Sequence, residues 1–176
     1  MRLAYVWALG LAALAVLPAA AAPPAAPTST PSAPSSGALP RYAGALQAEL
    51  VAMQRDPSCA PEARGRFHCS FAGETADSGT MHAVYSDETD TVYVYLERYA
   101  MLPPDDPHSA ALLRRMMELN WQLLVGKLEW SARSGEVRLS AVLNTDSNFD
   151  RRALRSIVLA LGATANRYRG ELGGRR

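Results

Sequence analysis

The three histidines of this chain are candidates for metal binding or proton transfer. His68 and His82 lie in two segments that we expect to pair as strands, and two adjacent imidazoles can bind zinc or copper. No third ligand accompanies them, and His108 belongs to the start of a different helix. The sequence therefore favours surface histidines, and we predict no metal site and no cofactor.

A polar run over residues 144–150 resembles the first half of a calcium-binding loop. Such a loop needs a glycine at its sharp bend and a bidentate glutamate at its twelfth position. Arg151 and Ile157 occupy these two positions instead. We therefore interpret the run as a loop in which Ser147 caps the following helix, with Asp150 in its first turn.

The short motifs that mark common classes of enzyme are missing from the sequence. It contains no Gly-x-Ser-x-Gly, Ser-x-x-Lys or His-Glu-x-x-His, and no glycine-rich phosphate loop. We predict that the protein is not an enzyme. The alternatives are an envelope hydrolase or accessory subunit with a site of unrecognised type, and a structural spacer module.

The ends of the chain indicate export and a single folded domain. Residues 1–21 combine Arg2, an apolar run and a string of small residues, which is the layout of a cleavable secretory signal peptide. Residues 22–40 are mainly Ala, Pro, Ser and Thr, which is typical of a flexible linker. We expect one domain over residues 41–172 and a basic tail over 173–176. The predicted location is periplasmic or secreted, with no stable membrane anchor after cleavage.

The charge balance excludes one class of partner. Arg2 is the charged residue of the predicted signal peptide, which leaves 17 of the 18 basic residues to balance 17 acidic ones. A nucleic-acid-binding domain would carry a basic surplus, so we predict no nucleic-acid partner. Arg151, Arg152 and Arg155 do cluster, and we interpret them as a solvated helix face, with weak attraction to an acidic partner or anionic lipid as the alternative.

Cys59 and Cys69 are the two cysteines of the chain. In an exported protein, two nearby cysteines most simply form a disulfide. Their spacing is not that of a Cys-x-x-Cys redox motif. We therefore predict a structural disulfide that closes a short loop, with two free thiols as the alternative.

Hydrophobic periodicity predicts an α+β domain with the element order α-β-β-β-α-β-β-α. Helical spacing recurs over residues 40–55, 107–120 and 147–170, where Gly170 ends the last helix. Alternation with a period of two recurs over residues 66–72, 80–86, 91–97, 121–130 and 137–143. Segregated helices pack on one face of such strands, so we expect a single antiparallel sheet of about five strands.

Asn120 lies where the helical period changes to the strand period. Asparagine tolerates left-handed backbone angles, so we expect Asn120 to end the second helix. Trp121 would then begin the fourth strand.

The second half of the chain contains a loose motif of helix end, strand and glycine-containing hairpin. It comprises residues 119–127, the hairpin over 134–139, and the loop and helix over 143–165. This pattern resembles the YbjN family, whose fold is similar to that of the type III secretion chaperones. The resemblance implies a module that binds other proteins in a regulatory or chaperone-like role, and it implies no catalytic residues. Members of that family are typically cytoplasmic, whereas this chain is predicted to be exported.

The third predicted strand suggests an uncovered aromatic surface. If Val92, Val94 and Leu96 face the helices, Tyr93 and Tyr95 face the opposite way. Further apolar residues are expected beside the two tyrosines, namely Trp121, Leu123, Val125 and Val142. A sheet face of this composition usually contacts something. One explanation is a covering helix, and the other is a protein partner or a homodimer.

Overall fold

The computed structural model describes residues 38–73 and 79–172. The predicted signal peptide, the linker up to residue 37 and the basic tail lie outside these described residues. Residues 74–78, in the predicted turn between two strands, lie outside them as well. Within the described part of the chain, no helix has both the length and the apolar character needed to cross a membrane.

The described residues form one antiparallel sheet of six strands together with three helices. The strands are β1 (Ser58–Glu62), β2 (Arg66–Ala72), β3 (Thr80–Ser86), β4 (Thr91–Met101), β5 (Lys127–Trp130) and β6 (Glu136–Asn144). Their order across the sheet is β1-β2-β3-β4-β6-β5. The helices are α1 (Ala43–Ala52), α2 (Ser109–Gln122) and α3 (Arg151–Leu172). The predicted α+β class with a single antiparallel sheet is confirmed.

Alternating side chains give the sheet two different faces. Along β4, Val92, Val94 and Leu96 are buried, whereas Tyr93 and Tyr95 are half-buried. Because successive side chains of a strand point to opposite sides, the two sets lie on opposite faces. We call the face with the three aliphatic residues the inner face and the face with the two tyrosines the outer face.

The helices supply the core beneath the inner face. Leu154, Val158, Leu161 and Ala165 recur at helical spacing along α3 and are fully buried. α3 contacts β4 and β6, and α2 contacts β5. Tyr42, just before α1, packs against the inner-face ring of Tyr85, with ring centroids 5.6 Å apart.

The sheet has one strand more than predicted. β1 pairs with β2 and forms one edge of the sheet. Its sequence, SCAPE, contains Pro61 and does not alternate, so the period-two criterion does not identify it. Cys59 lies opposite Cys69 in this pairing, and the two form the predicted disulfide, which crosslinks the edge strand to its neighbour.

The prediction that Asn120 ends the second helix is wrong. α2 continues to Gln122, and the left-handed residue of the following turn is Gly126, with φ of 84°. The Asn120 side chain instead donates to the Leu128 carbonyl oxygen at 2.9 Å and accepts from the Leu128 N–H at 2.7 Å. The amide therefore ties α2 to both backbone groups of one residue on the edge strand β5.

The other helix ends also differ from the prediction. Asp150, and not Ser147, caps α3, because Asp150 Oδ1 accepts two N–H groups of the first turn at 2.9 and 3.0 Å. Gly170 does not end α3, which continues to the buried Leu172. α1 is shorter than the predicted span of residues 40–55.

Candidate functional site

The outer face is the candidate site, because the helices of the described chain contribute their buried residues to the opposite, inner side. Tyr93 lies between Val84 of β3 and Val142 of β6. Val142 is 50% exposed, so this row reaches solvent. Tyr95 lies in the next row, beside His82 of β3. This alternation confirms the prediction that the two tyrosines face away from the helices. The helices within residues 38–73 and 79–172 pack on the inner face instead.

Aromatic rings form a continuous layer across the outer face. Tyr93 and Tyr95 stack with their ring centroids 5.0 Å apart, and His82 stacks on Tyr95 at 4.7 Å. The guanidinium carbon of Arg138 lies 4.8 Å from the centroid of the Tyr95 ring, in a cation–π contact. Such side chains combine large, rigid rings with polar tips, and they are enriched in protein interfaces.

Ion pairs fix the polar groups beside this layer. The Tyr93 hydroxyl donates to Glu129, and burial followed by that hydrogen bond raises the pKa of Tyr93 to about 12. Burial opposes ionisation of Glu129, but hydrogen bonds from Lys127 and Tyr93 hold the pKa of its carboxyl below the ordinary value. Arg138 donates to Glu136 at 2.8 Å, and this bond lowers the pKa of Glu136. At neutral pH, Tyr93 is therefore a neutral donor and its acceptor is a carboxylate.

The two strand histidines contact each other on the outer face. His68 Nε2 lies 2.8 Å from His82 Nδ1. The second nitrogen of each ring faces a carboxylate: His68 Nδ1 lies 3.1 Å from Glu62 Oε1, and His82 Nε2 lies 3.0 Å from Glu97 Oε2. His82 is only 9% exposed, so the interpretation as a surface histidine is wrong for this residue. In residues 38–73 and 79–172, no set of three or more His, Cys, Asp or Glu side chains is arranged to hold a metal ion.

The five predicted partner-binding residues do not form one surface element. Tyr93 and Tyr95 lie together on the outer face, but Trp121 belongs to α2 and Val125 to the turn before β5. Leu123 is partly buried and packs against the core. The prediction that these three residues extend the tyrosine face depended on a strand beginning at Trp121. The continuation of α2 to Gln122 removes that strand.

A second exposed apolar surface, the α2 patch, consists of Met117, Trp121 and Leu124. These side chains are 70%, 92% and 100% exposed, respectively. Met117 and Trp121 are one helical turn apart and therefore share a side of α2. The α2 patch lies on a helix and its end, so it is separate in the fold from the strand residues of the outer face.

Sequence reasoning missed the polar residues that contact the tyrosines, Glu129 and Arg138. Alternation along the fifth predicted strand does indicate that Arg138 points away from the core. Its contact with Tyr95 depends on β6 lying directly beside β4, between β4 and β5. No local pattern in the sequence specifies that strand order.

Comparison with known proteins supports the fold alone. No protein-family model matches this chain, and no curated protein matches it. Among solved structures, a chain of the crystal structure of the ExsC-ExsE complex is similar, with 12% sequence identity and a TM-score of 0.54. The match covers 74% of this chain and 95% of that one. The expected type III secretion chaperone-like fold is thereby confirmed, whereas membership of the YbjN family stays a prediction.

Proposed function

We propose that this protein is a non-enzymatic module that binds a protein partner through its outer face, in a regulatory or chaperone-like role. The observation that carries the proposal is the stacked layer of Tyr93, Tyr95 and His82 on the face of the sheet away from the helices, where the two tyrosines are partly exposed. A half-exposed Val142 extends the layer, and ion pairs surround it. An aromatic centre with a polar rim is the composition of a protein-binding surface.

The fold supports the same function. The similar chain comes from a complex of two proteins, ExsC and ExsE. Folds host many functions, so this likeness adds to the argument from the surface and does not replace it.

The chemistry of the outer face favours recognition over catalysis. Its charged groups are engaged with one another: Glu129 with Lys127 and Tyr93, and Arg138 with Glu136. A catalytic acid or base usually has a pKa that is moved towards neutrality. Here the pKa of Tyr93 is raised and those of Glu129 and Glu136 are lowered, away from neutrality, which supports a non-enzymatic role.

We further propose that the domain works in the cell envelope, as an exported protein of YbjN type. The predicted signal peptide over residues 1–21 supports this location. The Cys59–Cys69 disulfide supports it independently, because disulfides persist in oxidising compartments and are rare in the cytosol.

Affinity capture from an envelope extract tests the binding surface. We expect the wild-type chain to retain one or a few proteins, and Tyr93→Glu to lose them, because a charge in the aromatic layer would have to be desolvated on binding. Trp121→Glu introduces the same charge on the α2 patch and should retain the partner.

Three outcomes oppose the proposal: no captured protein, capture unaffected by Tyr93→Glu, or loss of capture only with Trp121→Glu. Sedimentation of the wild type and of Tyr93→Glu separates a foreign partner from a second copy of this chain. A dimer that dissociates in Tyr93→Glu would make the second copy the occupant of the outer face.

A further inference from the structure

The pair of histidines on the outer face has an unusual pattern of contacts. Two neighbouring strands place the rings of His68 and His82 with centroids 5.0 Å apart. Four groups then follow one another in a line, in the order Glu62, His68, His82 and Glu97, with successive nitrogen–oxygen or nitrogen–nitrogen distances of 3.1, 2.8 and 3.0 Å. Both outer contacts are made to carboxylates, and the inner contact joins two imidazoles.

The number of ring protons does not suffice for these three contacts. An ionised carboxylate only accepts hydrogen bonds, so His68 Nδ1 and His82 Nε2 both donate. A neutral imidazole has one N–H, and therefore the two facing nitrogens, His68 Nε2 and His82 Nδ1, both present lone pairs. Lone pairs 2.8 Å apart repel each other unless a positive ion lies between them. The geometry thus calls for either an additional proton or a metal ion at this point.

We propose that His68 and His82 form a binding site for one imidazole-preferring divalent transition ion, Zn²⁺ or Cu²⁺, held between His68 Nε2 and His82 Nδ1. Imidazole nitrogens suit these ions, whereas Mg²⁺ and Ca²⁺ take oxygen ligands. This site does not depend on the proposed protein-binding function.

The surrounding carboxylates have the arrangement that such a site requires. A histidine that binds a metal almost always donates its other N–H to a carboxylate, a backbone carbonyl or water, which fixes the ring and its tautomer. Glu62 occupies this position for His68, and Glu97 occupies it for His82. The same acceptors make each facing nitrogen a lone-pair donor, as a metal ligand must be.

Little movement is needed to admit the ion. Zinc–nitrogen bonds of about 2.0–2.1 Å at a tetrahedral angle separate two ligand nitrogens by about 3.3 Å. The rings would therefore move apart by about half an ångström from the observed contact of 2.8 Å. His68 is 29% exposed in its side chain, so water can reach the site and complete the coordination.

A proton competes for the same position, so metal affinity should fall as the pH is lowered. Among residues 38–73 and 79–172, the charged and titratable groups that contact the pair or its carboxylate partners are Glu62 from β1, Arg66 from β2, and Tyr95 and Glu97 from β4. The two carboxylates favour a cation between the rings, and Arg66 opposes it from the side of Glu62, to which it is paired at 2.9 Å.

Isothermal titration of the chain without any added histidine tag tests the site. We expect Zn²⁺ to bind with a stoichiometry of one per chain, and Mg²⁺ to give no binding heat. His82→Gln and His68→Gln should each lose this binding. The matched control is His108→Gln, because His108 contacts Asp106 on a different element and should leave zinc binding unchanged.

Circular dichroism shows whether the histidine variants fold. If one does not, a variant that keeps both histidines still tests the site. Glu97→Gln should weaken zinc binding about tenfold, although both histidine ligands remain. Loss of a group that is hydrogen-bonded to a metal ligand typically lowers metal affinity by roughly 10–100-fold. The proposal is overturned if zinc does not bind, if His82→Gln or Glu97→Gln binds it as the wild type does, or if His108→Gln abolishes the binding.

Discussion

Glu49 carries a carboxylate that lies almost completely inside the molecule, with 5% of its side chain exposed. Arg155 of α3 donates to Glu49 Oε1 through Nε at 3.1 Å and through Nη2 at 2.6 Å, and so joins α3 to α1. A buried carboxylate requires such a partner because its desolvation is costly. Arg155 is itself 51% exposed, as the interpretation of a solvated helix face predicts, and its guanidinium reaches from that face to the buried carboxylate. The contact joins residues 106 positions apart, and no local pattern predicts it.

Removal of the Arg155 guanidinium should destabilise the domain more than removal of the Arg151 guanidinium on the same helix. We expect Arg155→Ala to lower the free energy of unfolding by about 1–3 kcal/mol, because the Glu49 carboxylate would remain buried without its donor. Arg151→Ala removes an exposed arginine of the same helix and should change that free energy by less than about 0.5 kcal/mol. Urea unfolding measures both, and equal effects of the two variants would rule out this role for the ion pair.

At the scale of elements, the junction between α2 and β5 depends on the Asn120 side chain. Its amide satisfies the N–H and the carbonyl of Leu128, which otherwise lie at the free edge of the sheet. The sequence singles out Asn120 as the end of the helical pattern, but α2 continues to Gln122 and Asn120 acts through its side chain. A turn residue and a side-chain clamp look alike in a single sequence, so the assigned role was wrong.

Substitution of Asn120 should destabilise β5 more than the rest of the sheet. Asn120→Ala should lower the free energy of unfolding by about 1–3 kcal/mol, since two backbone groups lose their partner. It should also speed hydrogen exchange of the Leu128 amide, whereas Gln122→Ala, at an exposed position of the same helix, should not. Unchanged exchange at Leu128 in Asn120→Ala would show that the clamp does not hold the strand.

Regular alternation made most of the strands predictable, and irregular composition hid one of them. β2 and β4 alternate buried and more exposed residues, and β3 and β6 do so except at the buried runs 81–83 and 139–141. The predicted segments match β2, β3 and β6 to within one residue at each end, but β4 continues past the predicted end at residue 97, through a bulge, to Met101. β1 has five residues, of which one is partly buried, so it has no apolar face to detect. Its place in the sheet follows from pairing with β2 and from the Cys59–Cys69 bond, which are both tertiary features.

At the scale of the whole molecule, the sheet has one face packed against the helices and an opposite face that carries the proposed binding surface. Helical residues close the inner face around Val92 and Val94, while Tyr93 and Tyr95 on the same strand face outward. The sequence sufficed to predict this division, because it depends on alternation within β4. The sequence did not suffice to predict the neighbours of the tyrosines, because these depend on the order of strands from distant parts of the chain.

Site-specific photo-crosslinking tests the central claim, that the outer face binds a protein partner, most directly. A photo-reactive benzoylphenylalanine at Tyr95 keeps an aromatic ring in the layer, and the same residue at Leu159 probes an exposed position of α3 on the helical side. In envelope extract, we predict a discrete adduct of higher mass from position 95 and none from position 159. Adducts from position 159 alone, equal adducts from both positions, or no adduct from position 95 would contradict the account.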